Sequence, residues 1–279
     1  MFPRIYKEFK PTNHLAHYIK CYWLFEKTYT SGEFEHVFPD SSYELVYEQK
    51  ALYRVNDQEL PPLYIVGQLH KPLDFYTTGT VRQWAVRFYP WGLQPFANIE
   101  AIKQREWMPA NEILDTDTQE LEQIMRRTDG QTVISKLDDY FMRHLLTWQF
   151  TDRVLEQAFE TLKKQKGAIK IKDLAEYCFV SRRQLGRKIT YVTGQSPHDI
   201  ASRLRFEKVR DDIMHNPDTP LTFLAHHYGY TDQSHLIKEF RQYMEMTPSH
   251  YANQARAQQP RMKNRKNVLF LQLEKPTDS

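Results

Sequence analysis

The sequence predicts an α+β multidomain chain, with an antiparallel β-rich domain trailed by helices at the front and an all-α domain at the back. Three observations carry that expectation. Residues 17 to 89 hold short β-branched and aromatic runs separated by turn residues. From Asp117 the apolar residues change to helical spacing, and beyond Gly167 the chain repeats itself at an offset of 50 to 51 residues.

The 279 residues suffice for two domains. No apolar run approaches the ~18 to 20 residues that span a bilayer. The start, MFPRIYKEFK, lacks the apolar stretch of a signal peptide. A cytoplasmic protein with no membrane partner is therefore expected. Cys21 and Cys178 are the only cysteines and lie far apart, which supports neither a disulfide framework nor a cysteine-based zinc site. Charge is uneven: residues 168 to 279 carry 18 Lys/Arg against 12 Asp/Glu, the preceding residues 20 against 23. A basic back half suggests an anionic partner, nucleic acid first, because lysine and arginine release counterions from phosphates.

In the front half the strand candidates are YIKCYWLF, YELVYE, LYIVGQ, LDFYTT and VRQWAVRFY. Gly79 and Thr80 suit a two-residue hairpin between the last two, with Trp84, Val86 and Phe88 alternating onto one buried face. Strands with no helix between them argue for an antiparallel sandwich or small barrel, which can enclose a small ligand. In the following helices Val133, Leu137, Tyr140, Phe141 and the Leu145–Leu146 pair are spaced to pack onto this sheet or onto a second copy. Gly167 closes this region.

Catalytic chemistry is not apparent. His14 and His17 are three apart, and His36, Asp40, Glu44 and His70 could meet inside a barrel as metal ligands. Their spacing matches no ligand pattern, and HExxH, GxSxG and a phosphate-cradling glycine loop are missing. No catalytic residue, no metal and no cofactor are expected.

The repeat is the strongest signal. Leu174–Ala175 matches Leu224–Ala225, while Ser181, Leu185, Ile189 and Pro197 match Asp232, Leu236, Phe240 and Pro248. Each copy reads as a short helix with a small Ala, a tight turn, and a second helix opened by a polar cap, which is the helix-turn-helix plan. Leu185 with Ile189, and Leu236 with Phe240, lie four apart and turn the second helix onto the core. Its other face is left for DNA. Copy one offers Arg182, Arg183 and Arg187, suited to guanine O6 and N7; copy two offers Gln233, Ser234, His235 and Lys238, with Gln suited to adenine. The caps, Ser181 and Thr231 or Asp232, leave amide hydrogens that can hold a phosphate. Between the copies, SPHDIASRLRFEKVRDDIMH carries Ile200, Leu204, Phe206, Val209 and Ile213 near helical spacing, and a helix of that length spans ~30 Å, close to the ~34 Å between successive major-groove faces.

Residues Ile169 to Arg256 resemble the DNA-binding domain of the AraC/XylS family of transcription regulators. GYTDQSHLIKEFRQYMEMTPSHY resembles its signature of a Gly-aromatic turn, a basic-x-Phe step and a closing Thr-Pro. It departs from it at Leu236, at Ile189 in copy one, and at Glu245 or Met246, where the family has Gly. The front half resembles an N-terminal domain of some members through VFPDSSYELVYE and RFYPWG. Those domains resemble cupin barrels that sense small molecules or mediate dimerisation.

The resemblance implies a β-rich sensor or dimerisation domain over 1–155 and a DNA-binding domain over 156–258. Within the latter, the motifs fall at about 171–192 and 221–245, with a linker helix at about 196–215. A basic tail follows over 259–279, whose VLFLQL run could add an edge strand to the front domain. Double-stranded DNA is the expected partner; RNA polymerase, a small-molecule effector and a second copy as homodimer stay open. The rival readings are a DNA-targeted enzyme, of repair or cupin type, and a ligand carrier with no DNA role.

Overall fold

The computed structural model describes residues 5–262 apart from 52, 104 and 148–151. The VLFLQL run and most of the basic tail lie outside the described residues. Among the described residues eight strands form one antiparallel sheet: β1 (Ile5–Phe9), β2 (Ile19–Val37), β3 (Tyr43–Glu48), β4 (Tyr53–Val55), β5 (Gln58–Glu59), β6 (Leu63–Val66), β7 (Leu73–Phe88) and β8 (Trp107–Pro109). Their order is β1-β2-β7-β3-β6-β8, with β4 and β5 as a hairpin on β7. No pairing among the described residues joins β1 to β8, so the expected barrel is an open sheet.

The hairpin expected at Gly79–Thr80 is absent. Both residues lie inside β7, where Gly79 pairs with Tyr29 and Thr80 with Thr28. Gly79 has φ 76°, and the register with β2 shifts between Tyr29 and Glu33. A glycine in the left-handed region lets a strand bend at a bulge without ending its pairing, and sequence spacing does not separate such a bend from a turn. Leu73 and Phe75 before the bend therefore share a core with Val81 and Ala85 after it.

The single buried face read from Trp84, Val86 and Phe88 is also corrected, because β7 is buried on both sides. Those three residues pack with α1 (Thr118–Met125) and α2 (Gly130–Thr147), while Val81 and Ala85 join Trp23, Phe25, Tyr53 and Tyr64 on the other face. Val133, Leu137, Tyr140 and Phe141 on α2 are fully buried against the chain's own sheet; Leu146 is 78% exposed and does not share that core.

Helix α3 (Arg153–Lys164) begins the helical half, capped by Asp152, and the Gly167 N–H bonds the Leu162 carbonyl at 3.0 Å just after its end. Next come α4 (Ile171–Tyr177), α5 (Arg182–Thr193), α6 (Pro197–His215), α7 (Leu221–His227), α8 (Gln233–Met244) and α9 (Pro248–Met262). Two cores flank α6. Ile200, Ala201 and Leu204 pack with α3, α4 and α5; Phe206, Val209 and Ile213 pack with α7, α8 and α9.

The two copies share their turns but not their turn residues. In copy one Phe179 takes φ 55° where copy two has Gly229 at 69°; after the second helix Glu245 takes φ 54° where copy one has Gly194 at 72°. Of Glu245 and Met246, Glu245 is thus the one that takes the place held by Gly194 in copy one. Both non-glycine side chains are exposed. A left-handed conformation costs a side-chain-bearing residue about 1–2 kcal/mol, and glycine's extra freedom in the unfolded chain offsets part of that. Phe179→Gly and Glu245→Gly should each stabilise the protein by about 0.5–1 kcal/mol in thermal unfolding. A loss at either site would mean that the side chain makes a stabilising contact.

Candidate nucleic-acid interface

The turn between α4 and α5 is closed by Val180 N–H on the Ala175 carbonyl at 3.1 Å, and that between α7 and α8 by Tyr230 N–H on Ala225 at 2.9 Å. Ala175 and Ala225 are buried, so the paired helices approach over a methyl group. Leu185 and Ile189, with Leu236 and Phe240, face the cores as their spacing requires.

On α5, Ser181 caps the helix in a reciprocal box: its hydroxyl accepts the Gln184 N–H at 3.2 Å, and the Gln184 side chain accepts the Ser181 N–H at 3.0 Å. Ser181, Arg182, Arg183 and Arg187 are all exposed, the last two four apart on one helix face. On α8 the cap is Asp232, whose carboxylate accepts the His235 N–H at 2.8 Å. Of the two cap candidates Thr231 is therefore the residue added in the turn, and it is exposed. Ser234, His235 and Lys238 are exposed and Gln233 is half-buried. The His235 ring stands edge-on to Tyr230 and its Nε2 lies 4.0 Å from the Glu239 carboxylate, so its orientation is partly fixed from within.

Sequence reasoning missed Glu239. This buried carboxylate of α8 accepts the Ser202 hydroxyl at 2.6 Å and the Tyr230 hydroxyl at 2.7 Å, and faces Arg205 at 3.5 Å. It seats α8 on α6.

Sequence reasoning also missed the role of α6. Arg203, Glu207 and Arg210 follow i, i+4, i+7 spacing, which reads as a solvated face, yet all three are buried. They face the sheet domain. Glu207 accepts Lys20 Nζ at 2.7 Å, the Ser41 N–H at 2.7 Å and the Ser41 hydroxyl. Arg203 donates to the Leu69 carbonyl at 2.7 Å and to His70 Nδ1 at 2.7 Å. Burial would raise the Glu207 carboxyl, but Lys20, Arg210 and the Ser41 bonds outweigh it and hold it down at about 2. Burial and then the Arg203 charge lower His70, which keeps the imidazole neutral as an acceptor.

The stretches VFPDSSYELVYE and RFYPWG build this junction. Asp40 accepts the Ser42 N–H at 2.7 Å, and the turn so formed presents Ser41 to Glu207. Trp91 is sandwiched between Tyr89, at 5.1 Å between ring centroids, and Phe159 of α3, at 4.5 Å. Its Nε1 donates to the His17 carbonyl at 2.9 Å. A cavity of about 40 Å³, lined by Phe38, Arg87, Arg210 and Tyr251 among others, and one of about 310 Å³, lined by Tyr43, His70 and Lys103 on one side and Gln195, Arg203 and Tyr243 on the other, lie between the halves.

Of the candidate metal ligands, His36, Asp40 and Glu44 line one small cavity, but they are engaged by other groups. His36 pairs with Asp74, Glu44 with Arg87, His70 with Arg203 and His17 with Glu160. Among the described residues no group of three or more such side chains is placed to hold a metal ion. No described helix is long and apolar enough to cross a membrane.

Comparison with known proteins follows this division. Residues 174–254 match a family described as a helix-turn-helix domain, of AraC type, and residues 7–106 match a domain of unknown function, DUF6597. Residues 174–254 thus form a helix-turn-helix domain. Solved structures with a similar fold include ToxT from Vibrio cholerae, at 10% identity over 82% of this chain and 96% of that one, TM-score 0.42. The C-terminal domain of AraT, a response regulator from Geobacillus stearothermophilus, is 21% identical over 38% of this chain and 88% of its own, TM-score 0.35. The DNA-binding domain of AdpA, solved in complex with a target DNA, is 22% identical over 39% and 98%, TM-score 0.35. No curated protein matches the chain.

The junction has measurable consequences. Glu207→Ala should cost about 3–5 kcal/mol in thermal unfolding, since it leaves Lys20 without its buried partner. Lys20→Ala added to it should cost less than the sum of the two single changes, as contacting residues couple; strict additivity would separate Lys20 from the junction. Because the Glu207 carboxyl lies below its ordinary 4.5, its contribution is present above that pH and is lost as pH falls from about 4.5 toward 2.

Proposed function

We propose that the chain is a sequence-specific, cytoplasmic transcription regulator in which α5 and α8 enter two successive major-groove segments of one duplex. The observation that carries this is the repeat itself: two recognition helices on one chain, each with an exposed polar N-terminal face, both seated on α6. The 19 residues of α6 span about 28 Å, near the ~34 Å separating successive major-groove faces. In this reading Arg182, Arg183 and Arg187 grip base edges and dominate affinity. Gln233, Ser234, His235 and Lys238 contribute mainly positioning, and the amides beside Ser181, Thr231 and Asp232 hold phosphates. The sheet domain over 1–155 governs the helical domain over 156–258, through a small molecule or through dimerisation, and RNA polymerase is the partner such control would act on.

The enzymatic alternative needs a reactive thiol or a bound metal. Cys21 is buried, and burial pushes its thiol up to about 12, where it is a poor nucleophile at neutral pH.

Selection of a preferred site from random duplexes, followed by affinity measurement, tests the reading. Arg183→Ala or Arg187→Ala should weaken that site by about 1–3 kcal/mol and relax preference at one base position. Equal weakening on every sequence would reassign them to phosphate contacts. Binding that does not fall steeply with salt would remove the DNA role altogether.

A further inference from the structure

Gly186 stands in the second turn of α5, between Arg183 and Arg187 of the exposed face. Glycine inside a helix gives up more conformational freedom on folding than any other residue and contributes no side-chain packing. Such a glycine is accounted for by an unusual backbone conformation or by a neighbour that leaves no room for a Cβ.

The fold supplies neither reason. α5 runs unbroken from Arg182 to Thr193, and Gly186 does not take the left-handed conformation. Outside its immediate helical neighbours, a Cβ at Gly186 would meet no atom within 4 Å. Gly67, Gly92 and Gly167 differ, since a Cβ on any of them would come within 2.4 Å of a backbone carbonyl oxygen.

The open space borders the face with the arginines. Residues three and four apart adjoin on a helix surface, so Gly186 lies beside Arg182, Arg183 and Thr190, all exposed. Helical side chains lean toward the N-terminus, so any side chain at this position would occupy the room next to the turn that carries Arg182 and Arg183. Copy two fills the matching position with Ile237, half-buried beside the exposed Ser234 and Arg241.

We propose that Gly186 is a specificity-determining position: its bare backbone lets α5 come close enough to base edges in the groove for the neighbouring arginines to reach them. It rests on the DNA reading above. A side chain at this position stabilises the helix and holds it off the duplex.

Gly186→Ala and Gly186→Leu test this, because both residues favour the helix and they differ in bulk. Both should raise the midpoint of thermal unfolding. On the duplex that the wild-type chain selects, Gly186→Ala should weaken binding about tenfold, the scale of one base contact, and Gly186→Leu should weaken it at least about tenfold further. Losses on duplexes of random sequence should be smaller. Equal losses for the two variants would assign the glycine to helix flexibility, and equal losses on selected and random duplexes would assign it to clearance of the phosphate backbone; either overturns the proposal. A wild-type chain that selects no duplex overturns the regulator reading and this proposal with it. One that selects a duplex which Gly186→Ala binds equally well overturns this proposal alone.

Discussion

A single buried carboxylate organises the relation between the two halves. Glu207 sits where α6 meets the sheet domain, and ionised burial of that kind persists only when every lone pair is answered. Lys20 answers from β2 and Ser41 from the turn before β3, and the charge of Arg210, one turn further along α6, adds to them. Three segments distant in sequence are thus fixed to one another by a group that any one of them leaves short if it moves away. The arrangement has the directional demands of hydrogen bonds rather than the tolerance of an apolar contact, so it specifies a relative placement of the domains.

Around that point the rest is complementary packing. The flat stack of Tyr89, Trp91 and Phe159 supplies area without strict register, while Arg203 ties off the Leu69 carbonyl and His70. Lys163 adds a reach in the other direction, from α3 to the Ala16 carbonyl at 2.7 Å and over the Tyr89 ring at 4.7 Å. Helices α3 and α6 are therefore both held by the sheet domain, and α4 and α5 are carried between them. The sheet's long central strands, β2 and β7, provide the rigid base for these contacts, bent at Gly79 so that one strand serves both ends of a core.

The helical half was highly legible in the sequence because its two copies repeat the same constraints: Leu185 and Ile189, Leu236 and Phe240, and the small alanines all face inward where spacing puts them. The sheet was legible in kind but not in connection. β3 matches YELVYE residue for residue, whereas β1, β4, β5 and β8 are too short or too mixed in polarity to announce themselves, and a left-handed glycine reads alike in a turn and in a bulge. What stayed hidden was the charged face of α6. Arg203, Glu207 and Arg210 look solvated in one dimension, since burial of such groups depends on partners from residues 20 to 70 that no local pattern links to them. The Pro-Asp turn and the Phe-x-Pro-x-Gly turn were visible as motifs, but their use as docking parts needed the assembled chain.

The position of the clamp along α6 has a mechanical consequence. The sheet domain holds the helix at Arg203, Glu207 and Arg210, near its middle, while the core that seats α5 gathers toward one end and the core that seats α8 toward the other. A rod pinned at its centre is a seesaw: a tilt about the pin displaces its two ends in opposite directions. In the proposed reading, a small rotation at the junction would move α5 and α8 in opposite senses, and a fit to two grooves at once would respond to the difference between them rather than to either one alone.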